Sequence, residues 1–104
     1  MDDGRHYPRR MANETVRNHW NVDGGRVWVE FQESFDALLE PFVPMLTDLV
    51  LPQSNVLEVG CGTGALSLAL SDMAAYVTAV DISRPMLARA QERADEILAA
   101  SIDF

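Results

Sequence analysis

The chain has 104 residues and a formal net charge of −8, from 16 Asp/Glu against 8 Lys/Arg, and all eight of the latter are arginine. Its composition, 48% hydrophobic and 23% charged, is ordinary for a water-soluble chain. The acidity argues against a nucleic-acid partner, which needs clustered cations to neutralise phosphate. No apolar run approaches the ~20 residues of a membrane helix, no apolar stretch follows the charged start as in a secretory leader, and a lone cysteine, Cys61, rules out an internal disulfide framework. One small domain in a reducing, cytoplasmic setting is the expectation.

Charge is uneven. Residues 1–20 hold four arginines against three acids, and the rest hold four against thirteen. Residues 1–12 (MDDGRHYPRRMA) show no hydrophobic period and contain Gly4 and Pro8, so they read as a disordered or loosely docked head. A short helix is expected over 13–20. Residues 21–25 (NVDGG) read as a loop whose two glycines take positive φ. Trp28, Phe31, Phe35, Leu38 and Phe42 follow at spacings that mark one face of a single helix. Pro41 ends or kinks that helix, Pro44 opens another, and Pro52 closes it. Residues 13–52 therefore form a helical N-terminal cap. Trp28, Phe31 and Phe35 are expected in a packed core rather than in a substrate cage.

Residues 53–104 alternate strand and helix. Residues 55–59 (NVLEV) and 76–80 (YVTAV) read as short strands rich in β-branched residues. Residues 60–64 (GCGTG) form a glycine loop leading into a helix over 65–73. Ser83 is placed to cap a second helix running from 84 to about 100, with Pro85 in its first turn, and residues 102–104 begin a third strand. Such alternation implies parallel pairing through right-handed crossovers, the opening of a doubly wound α/β domain.

The chemistry lies in Glu58-Val59-Gly60-Cys61-Gly62-Thr63-Gly64 and in Asp81. Glycines let the backbone turn sharply off a strand and approach a ligand without Cβ collisions. The following helix begins with N–H groups that suit an anion. Asp81, at the end of the second strand, is placed to accept both hydroxyls of a ribose. The glycine spacing, with Ala65 at the third position, admits a nicotinamide dinucleotide. Glu58 shifts the balance, because a carboxylate repels a pyrophosphate but suits the α-amino group of a methionyl tail.

The segment NVLEVGCGTGALSLAL…VTAVDISRPMLARAQERA closely resembles class I S-adenosylmethionine-dependent methyltransferases. Upstream, NHWNVDGGRVWVEFQESFDALLEPF is similar to the N-terminal cap of a bacterial small-molecule branch, so the likeness runs from about residue 18 to residue 104. The resemblance implies a Rossmann-like fold and S-adenosylmethionine as cofactor, with a small-molecule methyl acceptor. In that reading Glu58 and the backbone of Gly60, Gly62 and Gly64 line the methionyl end, Asp81 holds the ribose, Ile82 packs on the adenine and Met86 closes the adenine pocket. The family's fold has seven strands, whereas this chain reaches only the start of a third. The expectation is therefore a truncated cofactor-binding domain, possessing no acceptor site of its own and exposing the edge of strand 55–59, which invites self-association. A non-catalytic association module, and less so a dinucleotide-dependent oxidoreductase, stand as alternatives.

Other reactive residues read as structural. Cys61 has no evident His–acid partners, and His6 and His19 lie in the polar head. Arg17 and Arg26 read as surface residues, and Arg84, Arg89 and Arg93 as a solvated helix face with Glu92 and Glu96. Trp20 and Asn21 are open between a lid and plain packing. No grouping has metal-ligand spacing.

Overall fold

The computed structural model describes residues 9–104, with side chains from residue 13 onward. Four helices come first: α1 (Arg9–Asn21), α2 (Asp23–Glu30), α3 (Gln32–Leu39) and α4 (Phe42–Thr47). Then β1 (Asn55–Val59), α5 (Ala65–Ser71), β2 (Tyr76–Val80), α6 (Arg84–Glu96) and β3 (Ile102–Asp103) alternate. The loose head expected over 1–12 lies outside the described residues up to residue 8, and residues 9–12 are the start of α1.

The strands form one parallel sheet in the order β1-β2-β3. Along β2, Val77 and Ala79 are fully buried while Tyr76, Thr78 and Val80 are exposed. That is the period of two expected for a sheet covered on one side. The buried residues join Leu70, Ala74 and Cys61, with Val56, Leu66, Leu87, Ile102 and Phe104 packed around them. Residues paired across β1 and β2 point the same way, so Val56 and Glu58 share the covered side with Val77 and Ala79. Leu57 and Val59 point the other way, 66% and 77% exposed. The sheet thus has an open apolar face, and β1 is its edge. Parallel sheets are ordinarily covered on both faces, so this one is unclosed.

The cap departs from its expected form in two places. The aromatic period does not make one helix: α2 ends at Glu30, Phe31 leaves helical geometry at φ −103 and ψ 26, and α3 starts afresh at Gln32. Nor are residues 21–25 a loop. Gly24 and Gly25 are buried in the first turn of α2, and among the described residues the glycines with positive φ are Gly60, Gly62 and Gly64. A Cβ on Gly24 would strike the His19 ring (Nε2 at 2.5 Å). One on Gly25 would strike the Trp20 carbonyl, Ser83 Oγ (2.6 Å) and Pro85 Cγ (2.9 Å). Both glycines serve close helix approach, which a periodicity argument does not register. At the other end, α6 stops at Glu96, short of the expected residue 100.

Polar contacts fasten this junction to the sheet. Asn21 donates from its side-chain amide to the Ile82 carbonyl (2.9 Å) and accepts from the Arg84 N–H (2.8 Å). Ser83 Oγ donates to the Trp20 carbonyl (2.5 Å) and, as the expected N-cap of α6, accepts from the Met86 N–H (3.4 Å). The turn after β2 is thereby held against the α1–α2 corner.

Candidate functional site

The site follows from strand register. Val59 pairs with Val80, so the residues that leave β1 and β2 next, Gly60 and Asp81, emerge side by side at the carboxyl ends of the strands. The N–H groups of Gly60 and Cys61 both donate to the Val80 carbonyl, at 2.8 and 3.1 Å. Asp81 then receives the Gly62 N–H on Oδ2 and the Ser83 N–H on Oδ1, each at 2.8 Å. The amides of Gly60, Cys61 and Gly62 are thus turned onto β2 and Asp81. Each Asp81 oxygen keeps one lone-pair site free.

A cleft of about 720 Å³ opens above this point. Its floor includes Glu58, Gly60, Gly62, Asp81, Ile82 and Met86, and its cap wall includes Trp20, Trp28, Phe35 and Asp36. Six of the seven expected cofactor residues therefore line one space. Gly64 does not. At φ +89 it turns the chain into α5, and a Cβ there would lie 3.1 Å from Ala90 Cβ. Met86 is buried and underlies the loop, its Cε 2.9 Å from where a Gly62 Cβ would sit. It forms floor rather than closure.

The aromatic residues divide. Trp28 and Phe35 stack with centroids 3.8 Å apart and line the cleft, whereas Phe31 is exposed and takes no part in it. None of the three is buried core, contrary to the expectation. Trp20 lines the cleft as well, so it belongs to the wall. Asn21, outside the lining, is a packing and capping residue. Arg17 and Arg26 are exposed and outside the lining.

The charged lining residues are Asp36, Glu58 and Asp81, with no arginine or histidine among them. Burial holds the Glu58 carboxyl above its ordinary 4.5, against the Ser67 hydroxyl that donates to Oε1, and nearby Asp81 adds to the rise. Burial likewise pushes the Cys61 thiol up to about 12, aided by Glu58 and Asp81. A thiol so protonated is no nucleophile at neutral pH, in keeping with its reading as a loop residue. Among the described residues no cluster of His, Cys, Asp and Glu is placed to hold a metal.

Comparison with known proteins decides the family. Residues 56–104 match the model of a methyltransferase domain. An uncharacterised methyltransferase of Mycobacterium tuberculosis is 49% identical over 59 residues, covering 57% of this chain and 27% of the relative. The magnesium-protoporphyrin O-methyltransferase of Synechocystis is 42% identical over 100 residues, covering 88% of this chain and 42% of the relative. The chain belongs to the class I S-adenosylmethionine-dependent methyltransferases. The crystal structure of the magnesium protoporphyrin IX methyltransferase from Synechocystis PCC 6803 with bound SAH superposes with a TM-score of 0.69 at 28% identity. That match covers 88% of this methyltransferase chain and 49% of the other. The chain thus spans about half or less of the proteins it matches.

Two parts of the cleft's surroundings carried no sequence signal. Ser67 reaches Glu58 from α5, and Arg93, read as solvated, reaches Asp36 and Thr63 from α6. Arg89 is likewise half-buried, donating to Gln32 Oε1 at 3.0 Å. Docking of the cap is what brings Gln32 to Arg89 and Asp36 to Arg93.

Proposed function

We propose that the cleft binds S-adenosylmethionine and that the chain contributes this site to a methyltransferase acting on a small-molecule acceptor. The observation that carries the reading is the Asp81 carboxylate. Two backbone N–H groups at 2.8 Å fix it, one lone-pair site stays free on each oxygen, and it faces a largely apolar cleft whose charged lining residues are all acids. Two free acceptor sites match the two donors of a ribose. An acidic lining favours a ligand with cationic sulfonium and ammonium groups and opposes the pyrophosphate of a dinucleotide. When bound, the cofactor supplies a methyl group on that sulfonium.

The chain's own residues bind and orient. Glu58 is assigned the α-amino group. Gly60 and Gly62 present backbone without Cβ atoms, Gly64 sets the turn that aims them, Ile82 packs on the adenine and Met86 supports the floor. Trp20, Trp28 and Phe35 roof the cleft and exclude water, which strengthens each polar contact beneath them. A small-molecule acceptor is supported by the Synechocystis relative, whose name gives magnesium protoporphyrin as its substrate. The exposed edge and open face at Leu57 and Val59 support self-association of the chain, which sedimentation against concentration reads directly. The net charge of −8 supports the absence of a nucleic-acid partner, and the single free cysteine suits the cytoplasm.

Calorimetric titration of the chain with S-adenosylhomocysteine and with NAD tests the central claim. Binding of the first and silence from the second are expected. Tight NAD binding without a response to S-adenosylhomocysteine would overturn it.

A further inference from the structure

Helix α3 supplies Phe35 and Asp36 to the cleft wall, yet the only residue it buries is Gln32, a polar one. Leu38 faces solvent, and Leu39 lines the open cleft. Half-buried Phe35 stacks on Trp28 within the cap, whereas the attachment of α3 to the α/β half is polar. The Arg93 guanidinium, its side chain 15% exposed, places Nη2 at 2.8 Å from Asp36 Oδ2. Its Nη1 reaches Asp36 Oδ1 at 3.4 Å and the Thr63 carbonyl at 2.9 Å. Gln32 Nε2 donates to Asp36 Oδ2 at 2.6 Å, and Gln32 Oε1 receives Arg89 Nε at 3.0 Å. Asp36 belongs to the cap wall and Thr63 to the glycine loop, and both line the cleft.

We propose that Arg93 is a positioning residue, a latch that ties α3 to the glycine loop, so that the cleft's cap wall and floor are held as one unit and cofactor affinity depends on the Arg93–Asp36 pair. The inference rests on the reading of the cleft as a cofactor site. A guanidinium suits the task because its rigid fork serves a carboxylate and a carbonyl at once, which a lysine ammonium does with less fixed geometry. Removing either partner leaves the other charge partly buried and unpaired. The cap wall is then free to move away from the loop, and a ligand that needs both must bear the cost of bringing them together.

The test uses the full chain. S-adenosylhomocysteine is titrated calorimetrically into wild type, Arg93→Ala, Asp36→Asn and the double variant, and amide hydrogen exchange over residues 32–39 is followed without ligand. Each single variant should weaken binding about tenfold, and the double variant no further, because the pair acts as a unit. Exchange over 32–39 should rise in both while β2 stays protected, a local change that a general loss of stability does not produce. Should Arg93→Ala fail to fold, Asp36→Asn asks the same question with the Arg93–Thr63 bond intact. Affinities within twofold of wild type, or additive losses, would overturn the latch. A wild type that ignores S-adenosylhomocysteine overturns the functional reading instead, and the latch then stands or falls on the exchange data.

Discussion

The α/β half and the helical cap border the same cleft, but their residues reach it by different routes. In the α/β half, parallel register does the placing: once Val59 pairs with Val80, Gly60 and Asp81 have nowhere else to be. In the cap, position depends on contacts made far along the chain. Asn21 bonds to the turn after β2, Gly25 lies against Ser83 and Pro85, and Asp36 meets Arg93. The first half is thus set by its own backbone, and the second by where it docks. A damaging change should accordingly cost ligand chemistry in the first and docking in the second.

The largest effect belongs to Asp81→Ala. It removes the proposed ribose acceptor and leaves the Gly62 and Ser83 N–H groups without their partner. Two charge-assisted hydrogen bonds are lost to the ligand, about 3 kcal/mol or more, so S-adenosylhomocysteine affinity should fall at least about a hundredfold. Calorimetry reads this directly, and an unchanged affinity would remove the basis of the α/β half's role.

Glycine substitutions, one in each half, sharpen the contrast. Gly25→Ala drives a methyl into the Trp20 carbonyl, backbone that cannot swing aside, so it should destabilise cap docking by about 3 kcal/mol. Red-shifted emission from Trp20 and Trp28 is the expected sign, with β2 still protected in hydrogen exchange. Gly64→Ala combines a φ of +89 with a Cβ only 3.1 Å from Ala90 Cβ, at a cost of about 2 kcal/mol. That loss should appear instead as a lower urea midpoint for the α/β half. Equal, global effects from both variants would show that the two halves are a single cooperative unit.

The same division explains what could be read from the sequence. Strands 55–59 and 76–80 matched their expected bounds because short β-branched runs between turn signals are local information. The glycine loop, Asp81 and the Ser83 cap were legible for the same reason. In the cap, the 3-4 spacing of Trp28, Phe31 and Phe35 correctly indicated helix but wrongly indicated core. The break at Phe31 turns its ring to solvent while Trp28 and Phe35 stack over the cleft. Gly24 and Gly25 looked like turn residues because a sequence does not display the helix that will lie against them. Arg93 looked solvated because its partners are 30 and 57 residues away.

Glu58 gives a smaller effect whose sign differs between stability and binding. Its carboxyl is held above 4.5 in the folded chain, so above pH 4.5 the fold binds more protons than the unfolded chain, and stability falls as pH rises through that interval. Glu58→Gln removes this loss while its amide oxygen can still accept from Ser67. Its melting temperature should exceed that of wild type at neutral pH, and the gap should close below pH 4.5. Affinity for the cationic cofactor should fall over the same range, because the variant lacks the carboxylate. Stability gained and binding lost together would mark Glu58 as a group kept for its ligand. A melting temperature lowered at neutral pH would make it a structural acid.

Cys61 should give the smallest effect, though it lines the cleft between two of the glycines. A thiol pushed up to about 12 is ionised to only about one part in ten thousand at pH 8. Alkylation by iodoacetamide at that pH should therefore run far slower than for a free thiol. Cys61→Ala should leave S-adenosylhomocysteine affinity within about twofold of wild type, since the loop takes its shape from the Val80 carbonyl and Asp81 rather than from the sulfur. Rapid labelling, blocked by ligand, would instead mean that the loop opens often enough to expose the thiol. The α/β half would then be as dependent on its ligand for order as the cap is on its docking contacts.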